Sequence, residues 1–154
     1  MLSIQISDIK DFMSHLLSKD TFDHFYFIEA SIKMGVSYQI QGRINEGFYD
    51  TSVEQTLNRE FCYWKEIRHR IFDIIKGKRL PLSCKIVLGL SKQSISYLIA
   101  HNNSSFREED IEGIYVNILY DPKNLLITTG ISYKNFSLDK SLEYAFDEYL
   151  VKFL

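Results

Sequence analysis

Hydrophobic and polar positions follow two different periods along the chain, and the period indicates where strands and helices form. At the start, Leu2, Ile4 and Ile6 alternate with polar residues, which is typical of a strand with one buried face. From Ile9 onward, apolar residues recur at the i, i+3, i+4 and i+7 spacing of one helix face. The pattern therefore predicts a strand followed by a helix, with Ser7 as the N-cap of that helix.

Two extended runs follow, at 22–32 and 36–44, and the residues between them predict the turn of a hairpin. Residues 45–59 contain turn formers and charges with weak periodicity, so we predict a loop there. This is the longest irregular segment of the chain, and it is the preferred place for a functional loop. A helix that contains Trp64 is predicted after it.

The second half of the chain predicts the same order of elements again. A strand covers 82–90, Ser91 caps a short helix, and 105–108 has the spacing of a capping box. A hairpin turns at 121–124, and a final helix begins at about Leu138. The order strand, helix, two strands, helix thus occurs twice, over roughly 2–77 and 82–153, which is compatible with a duplicated βαββα unit.

We therefore predict an α+β fold with about six mostly antiparallel strands and three or four helices. Residues 1–154 are predicted to form one domain, because 154 residues with 45% hydrophobic content suit a single well-packed core.

Charge and cysteine content narrow the class of protein. Lysine and arginine total 18 and acidic residues total 20, so the chain lacks the basic surplus of most nucleic-acid-binding domains. The two cysteines, Cys62 and Cys84, have no CxxC spacing, which favours free thiols in a reducing compartment. No signal-peptide pattern or long apolar run is present. We expect a soluble cytoplasmic protein that does not enter the membrane.

The helix around Trp64 carries the strongest local concentration of cations. An anion or nucleic-acid site there would use Lys65, Arg68, Lys76, Lys78 and Arg79. The alternative is an ordinary helix end, because Gly77 suits a C-terminal stop and cations offset the negative end of the helix dipole. Glu66 also lies at i, i+4 spacing from Arg70, and Asp73 has the same spacing from His69. Acids at this spacing offset the charge of the cations. The capping interpretation is preferred.

Arg68 differs from the other cations, because a helical wheel places it inside the apolar arc with Trp64 and Ile71. A guanidinium in that position must extend to solvent or meet a carboxylate. We expect a paired or extended arginine rather than a ligand site.

Few other residues are candidates for catalysis or metal binding. An enzyme with a cryptic site near His24 is one hypothesis, but Asp23 and His24 are adjacent in a predicted strand and would point to opposite faces. Cys84 follows the alternation of buried positions, and neither cysteine has a nucleophile motif around it. We predict no metal site, no cofactor and no catalytic residue.

Several short segments across nearly the whole chain are similar to those of a known protein family: FDHF, GRIN, YWKEIR, IIKGKRLPLS and SLDKSLEYAFDEYLVKF. They resemble a family of small uncharacterised proteins of clostridial (Firmicutes) type, described as a domain of unknown function. The resemblance implies a bacterial, cytoplasmic, single-domain protein and assigns it no activity.

Charge is also distributed unevenly, with a net +4 over 59–79 and a net −3 over 107–112. Such patches can meet within the fold or across a symmetric dimer, where complementary charge sets the register. Our first hypothesis is a non-catalytic binding or assembly module that forms a homo-oligomer, in the simplest case a dimer. The first alternative is a nucleic-acid or phosphate binder that uses the 65–79 segment, and the second is the enzyme near His24.

Overall fold

The computed structural model describes residues 2–49, 59–102 and 104–154, and its main feature is one antiparallel sheet. The strands are β1 Ser3–Gln5, β2 Tyr26–Lys33, β3 Ser37–Gln41, β4 Ser83–Gly89, β5 Ile111–Tyr120 and β6 Leu125–Tyr133. They lie in the order β1-β6-β5-β4-β2-β3. In the described residues the α-helices are α1 Ile9–Ser18, α2 Trp64–Ile75, α3 Lys92–His101 and α4 Ser141–Val151. The predicted α+β fold, with six strands and four helices, is confirmed.

The core lies between the helices and one face of the sheet. On the two central strands, Ile86, Leu88 and Ile118 are at most 1% exposed, and they alternate with residues of the opposite face. The helices add their own apolar stripes to this layer, including Leu16 of α1 and Phe146 of α4, both fully buried. The predicted two-residue alternation therefore separates a covered face from an open one.

The order of elements repeats, as predicted, but the strand pairing does not. In the second half β4 pairs with β5, which follows it across α3. The corresponding first strand, β1, pairs instead with β6, the last strand of the chain. The halves are joined by two pairs, β2 with β4 and β1 with β6. The repeated βαββα order is thus present without a repeated arrangement in space.

Several predicted element ends are corrected. Asp8 rather than Ser7 caps α1, because the Asp8 carboxylate accepts the backbone N–H of Asp11 at 3.0 Å. The helical turn expected from Ser105 is a 3₁₀ turn at Glu108–Asp110. Asp110, not Glu108, closes it by accepting the N–H of Arg107 at 2.9 Å. The last helix starts at Ser141, three residues after the predicted start.

The hairpin β2–β3 is confirmed, although β2 begins at Tyr26 because 21–24 form turns. Of the predicted loop at 45–59, residues 46–48 form a 3₁₀ turn and 50–58 lie outside the described residues. Helix α2 ends at Ile75, and Gly77 has a φ of 145°, a conformation that favours glycine. The predicted helix stop is therefore confirmed.

Among the helices that the structure describes, none is both long and apolar enough to span a lipid bilayer.

Candidate functional site

The five predicted anion-binding residues do not converge on one site. Lys65 lies exposed in the first turn of α2, whereas Lys76, Lys78 and Arg79 lie exposed at or after its last turn. Lys76 lies eleven positions after Lys65, which corresponds to roughly 16 Å along a helix. Lys76 also contacts Asp73, with 3.0 Å between its Nζ and the Asp73 Oδ1. Anion binding by this segment stays a prediction, carried mainly by Lys78 and Arg79.

Arg68 turns inward and forms a buried ion pair with Asp23. Its Nε donates to Asp23 Oδ1 at 2.8 Å and its Nη2 donates to Oδ2 at 3.1 Å, while Nη1 reaches the carbonyl of Leu17 at 3.4 Å. Both residues are less than 10% exposed. A bidentate pair of this kind satisfies the guanidinium within the fold. The paired alternative expected from the sequence is the one that the structure contains, and it attaches α2 to the end of α1.

A second cation pairing at the start of α2 was not predicted from the sequence. Arg59 donates to both Glu66 oxygens at 2.6 and 2.8 Å, and its guanidinium lies 4.4 Å from the centre of the Tyr63 ring. The Arg59 hydrogen bonds lower the pKa of Glu66. Glu66 and Asp73 therefore bind Arg59 and Lys76, rather than the predicted Arg70 and His69.

The groups considered for catalysis lie apart from one another. His24 is exposed, while the carboxylate of the adjacent Asp23 is bound by Arg68. Both cysteines are free thiols, and burial raises the pKa of Cys62 to about 11 and that of Cys84 to about 12. Such thiols are protonated at neutral pH and are weak nucleophiles. Within the described part of the chain, no group of three or more His, Cys, Asp and Glu side chains is arranged to hold a metal ion.

We call the sheet face opposite the helices the open face. Two complete rows cross all six strands on this face. In strand order, the first row is Gln5, Leu126, Leu119, Lys85, Ser31, Gln39, and the second is Ser3, Thr128, Asn117, Val87, Glu29, Gln41. Lys85 and Leu119 belong to the two central strands and are nevertheless exposed. The first row is therefore accessible at its centre, whereas Val87 in the second row is only 7% exposed.

Charge is segregated along the strand direction of the open face. Lys33 and Lys85 lie toward one end of the strands, where a shallow cavity of about 440 Å³ opens between them and the side chains of Leu119 and Leu126. Glu29 lies one row further along, and Glu112 lies beyond the last row.

Two opposite charges interrupt this separation. Asp121 borders the lysine end, where its carboxylate accepts the turn N–H groups of Lys123 and Asn124 at 2.8 and 2.9 Å. Lys92 lies near Glu112, at the start of α3. One end of the face is thus predominantly basic and the other predominantly acidic.

Two glycines affect how accessible the backbone of the open face is. A Cβ added to Gly130 would meet no atom within 4 Å, so the backbone of β6 is accessible there. On the neighbouring strand, the Tyr115 hydroxyl lies over Gly113, where an added Cβ would be only 2.2 Å away. Gly113 is therefore required for this position of the Tyr115 ring, whereas Gly130 leaves space for a partner.

The sequence signal for the open face is the alternate set of positions in each strand. In the run at 36–44, alternation predicts that Ser37, Gln39, Gln41 and Arg43 face solvent, and all four are exposed. The same alternation predicts a buried face with Val36 and Tyr38, which is wrong, because they are 65% and 38% exposed. The corresponding positions of the central strands, such as Lys85 and Leu119, were not recognised as one surface. Alternation gives the two faces of each strand, but it does not show whether a second layer covers the outer face.

Comparisons with known proteins give a family without an assigned activity. No curated protein and no solved structure matches the chain. A family profile described as "Family of unknown function (DUF5721)" matches residues 15–154, which is most of the chain. The chain therefore belongs to the DUF5721 family of unknown function.

Proposed function

We propose that this protein is a non-catalytic assembly module of a bacterial, clostridial-type cytoplasm, and that it forms a homodimer through the open face. The observation that carries the proposal is the open face, where Lys85 and Leu119 of the central strands are exposed and basic and acidic groups lie at opposite ends. A second copy of the chain is the occupant that this charge arrangement favours.

The symmetry of the face supports a dimer in one orientation. A two-fold axis that runs across the strands, between two facing sheets, reverses the strand direction of one copy relative to the other. The lysine end formed by Lys33 and Lys85 then lies against the partner end that carries Glu29 and Glu112. An axis parallel to the strands would place like charges together, which disfavours that alternative.

The size of the face is adequate for a reversible dimer. β4 has seven residues and six strands lie side by side. At about 3.4 Å per residue and about 4.8 Å between strands, the face covers roughly 600 Å² per copy. Standard interfaces bury about 800 Å² per partner. Because most of the contacting groups are polar, we expect a dimer with micromolar affinity rather than an obligate one.

The first test uses Leu119, which is 36% exposed at the centre of the open face. Leu119→Arg should shift sedimentation velocity profiles from dimer toward monomer over a concentration series, because it places a charge at the interface. The matched control is Leu138→Arg, which makes the same substitution at an exposed position before α4. A wild-type protein that stays monomeric at the highest concentration contradicts the proposal, as does a dimer that both variants retain.

The second test examines the charge arrangement. Lys33→Glu/Lys85→Glu and Glu29→Lys/Glu112→Lys should each weaken self-association, because like charges then face each other. Mixing the two variants should restore dimers of mixed composition, which native mass spectrometry resolves by mass when one variant is labelled with ¹⁵N. Failure of the mixture to associate, with both variants folded by circular dichroism, would contradict the two-fold orientation.

A further inference from the structure

An apolar groove lies beside α1, and its lining shares only Tyr120 with the cavity on the open face. It has a volume of about 480 Å³, within the range of roughly 300–1,000 Å³ that is usual for small-molecule sites. The groove is lined by Ile9, Lys10, Met13, Leu17, Ile75, Leu80, Pro81, Tyr120 and Pro122. Three elements thus form its walls: α1, the connection that follows α2, and the turn between β5 and β6.

The apolar lining is only partly covered by the protein itself. Leu17 and Tyr120 are buried and form the closed side, whereas Ile9, Met13 and Ile75 are half-buried. Leu80 lines the groove and is still 67% exposed. A groove with this much accessible apolar surface gains free energy when a hydrocarbon displaces water from it.

One cation lines the groove, and three others lie next to lining residues in the sequence. Lys10 belongs to its lining, Lys78 and Arg79 immediately precede Leu80, and Lys123 follows Pro122 in the β5–β6 turn. All four side chains are exposed.

Two acids in the adjacent turn and at the end of α2 have partners within the protein. Asp121 accepts two backbone N–H groups of the turn, and Asp73 pairs with Lys76. The rim therefore presents a local excess of positive charge next to apolar surface.

We propose that this groove binds an anionic amphiphile, with a hydrocarbon chain along Met13 and Leu80 and an acidic head group among the rim cations. A saturated carboxylate such as decanoate has this chemistry. The assignment also gives a role to Lys78 and Arg79, which the helix stop at Gly77 does not require. The site shares none of the charged residues that the dimer proposal uses, so the two can fail separately.

Binding can be followed at the groove itself by NMR of protein labelled with ¹³C at the methionine methyl groups. Met13 lines the groove, whereas Met34 lies in the β2–β3 turn and serves as an internal control. Titration with decanoate below its micelle concentration should shift the Met13 signal in a saturable way and leave Met34 in place. Decyltrimethylammonium, which has the same chain and a cationic head, should bind at least tenfold more weakly. Equal binding of both compounds, or no shift of Met13, would overturn the proposal.

A pair of matched variants separates the groove from nearby surface. Leu80→Glu introduces a negative charge at the wall and should reduce decanoate affinity at least tenfold. Leu82→Glu is the control, because Leu82 is 70% exposed and does not line the groove. Equal affinities for the two variants would contradict the site.

Charge removal provides an independent readout of the head-group contact. Lys78→Gln/Arg79→Gln should weaken decanoate binding about fivefold, a size typical of two exposed ionic contacts. Lys134→Gln/Lys140→Gln removes two exposed cations that do not line the groove and should leave the affinity unchanged. The same loss in both double variants would indicate a general charge effect and overturn the assignment.

The last experiment distinguishes between two ligands of the groove, a free amphiphile and a membrane surface. Co-sedimentation with phosphatidylglycerol vesicles, compared with phosphatidylcholine vesicles, measures attachment to an anionic bilayer. Saturable decanoate binding that depends on Leu80, with no vesicle attachment, supports the free anion as the ligand. Vesicle attachment without decanoate binding would assign the surface to a membrane and refute the groove as an amphiphile site.

Discussion

The two faces of the central sheet share the same strands and differ in what lies on them. On β4, Ile86 is fully buried under the helices, while the next residue toward the N-terminus, Lys85, is exposed on the open face. On β5 the same contrast separates Ile118 from Leu119. The backbone hydrogen bonds of both faces are identical, because they belong to the same strands. The side chains of the two faces therefore differ in their contribution to the free energy of folding because only one face is buried against helices.

The charged groups show the same contrast. On the covered side, Arg68 and Asp23 bind each other with both residues less than 10% exposed. On the open face, Lys85 and Glu29 stand on neighbouring strands and are exposed to water. A charge in the first environment is costly without its partner, whereas a charge in the second is solvated. Substitutions should affect folding on the covered side and association on the open side.

The largest expected effect comes from breaking the buried ion pair. Arg68→Met leaves the Asp23 carboxylate buried without its partner, and we expect a loss of about 3–5 kcal/mol in the free energy of unfolding. Urea denaturation followed by Trp64 fluorescence measures it. Lys76→Met, which breaks an exposed pair with Asp73, should cost less than about 1 kcal/mol. Equal costs for the two variants would remove the distinction between buried and exposed charges.

A direct comparison of the faces uses the adjacent residues of β4. Ile86→Ala should destabilise the protein by about 2–5 kcal/mol, because it removes buried methyl groups and leaves a cavity. Lys85→Ala should change the stability by no more than about 0.5 kcal/mol, as is usual for exposed positions. Both values come from thermal and urea unfolding of the dilute, monomeric protein. A large effect of Lys85→Ala would show that the open face is covered.

A smaller effect is expected at the adjacent threonines of β6. Thr129 is 2% exposed; its hydroxyl accepts the N–H of Leu2 at 2.8 Å and donates to Asp147 at 2.9 Å. Thr129→Val keeps the shape of the side chain but removes the acceptor of the Leu2 N–H, so we expect a loss of about 1–3 kcal/mol. Thr128→Val on the open face is the control, with an expected change below about 0.5 kcal/mol. Similar results for both threonines would contradict the assigned role of the Thr129 hydroxyl.

The smallest expected effect is a pH dependence at the start of α2. Arg59 holds the pKa of Glu66 below its ordinary value, so the interaction is fully present above about pH 4.5 and is lost as pH falls through the lower, folded-state pKa. Because the Glu66 side chain is 43% exposed, the contribution should stay below about 1 kcal/mol.

Glu66→Gln should therefore lower the free energy of unfolding at pH 7 and have little effect at pH values well below 4. In an Arg59→Gln background the difference between the two pH values should shrink. A difference that persists unchanged in that background would assign the pH dependence to another group.

The sequence was sufficient to predict most elements because their signals are local. The Asp121–Asn124 turn forms with the Asp121 side chain bound to backbone N–H groups, as turn preferences indicate. Ser91 caps α3 as predicted, with its hydroxyl accepting the N–H of Ser94 at 3.2 Å. The cap of α1 was misassigned because Ser7 and Asp8 are both good capping residues, and the exact start of the helix decides between them.

The candidate sites were less predictable because their residues are distant in the chain. Arg68 was recognised as unusual from its place on the helical wheel, but Asp23, 45 residues earlier, was not identified as its partner. The groove around Met13 combines residues of α1 with Leu80 and Pro122, and no sequence motif connects them. The open face has the same origin, since each of its rows takes one residue from each of six strands.

The sequence alone determined the period of each segment, and with it the strands, the helices and the inward side of the central strands, because a strand or helix buries its apolar face where another element covers it. Only the tertiary structure decided that β1 joins β6, that Arg68 meets Asp23, and that the helices gather on one side of the sheet. These outcomes depend on contacts between distant segments, and the free energy of such contacts is set by packing and desolvation rather than by local residue preference.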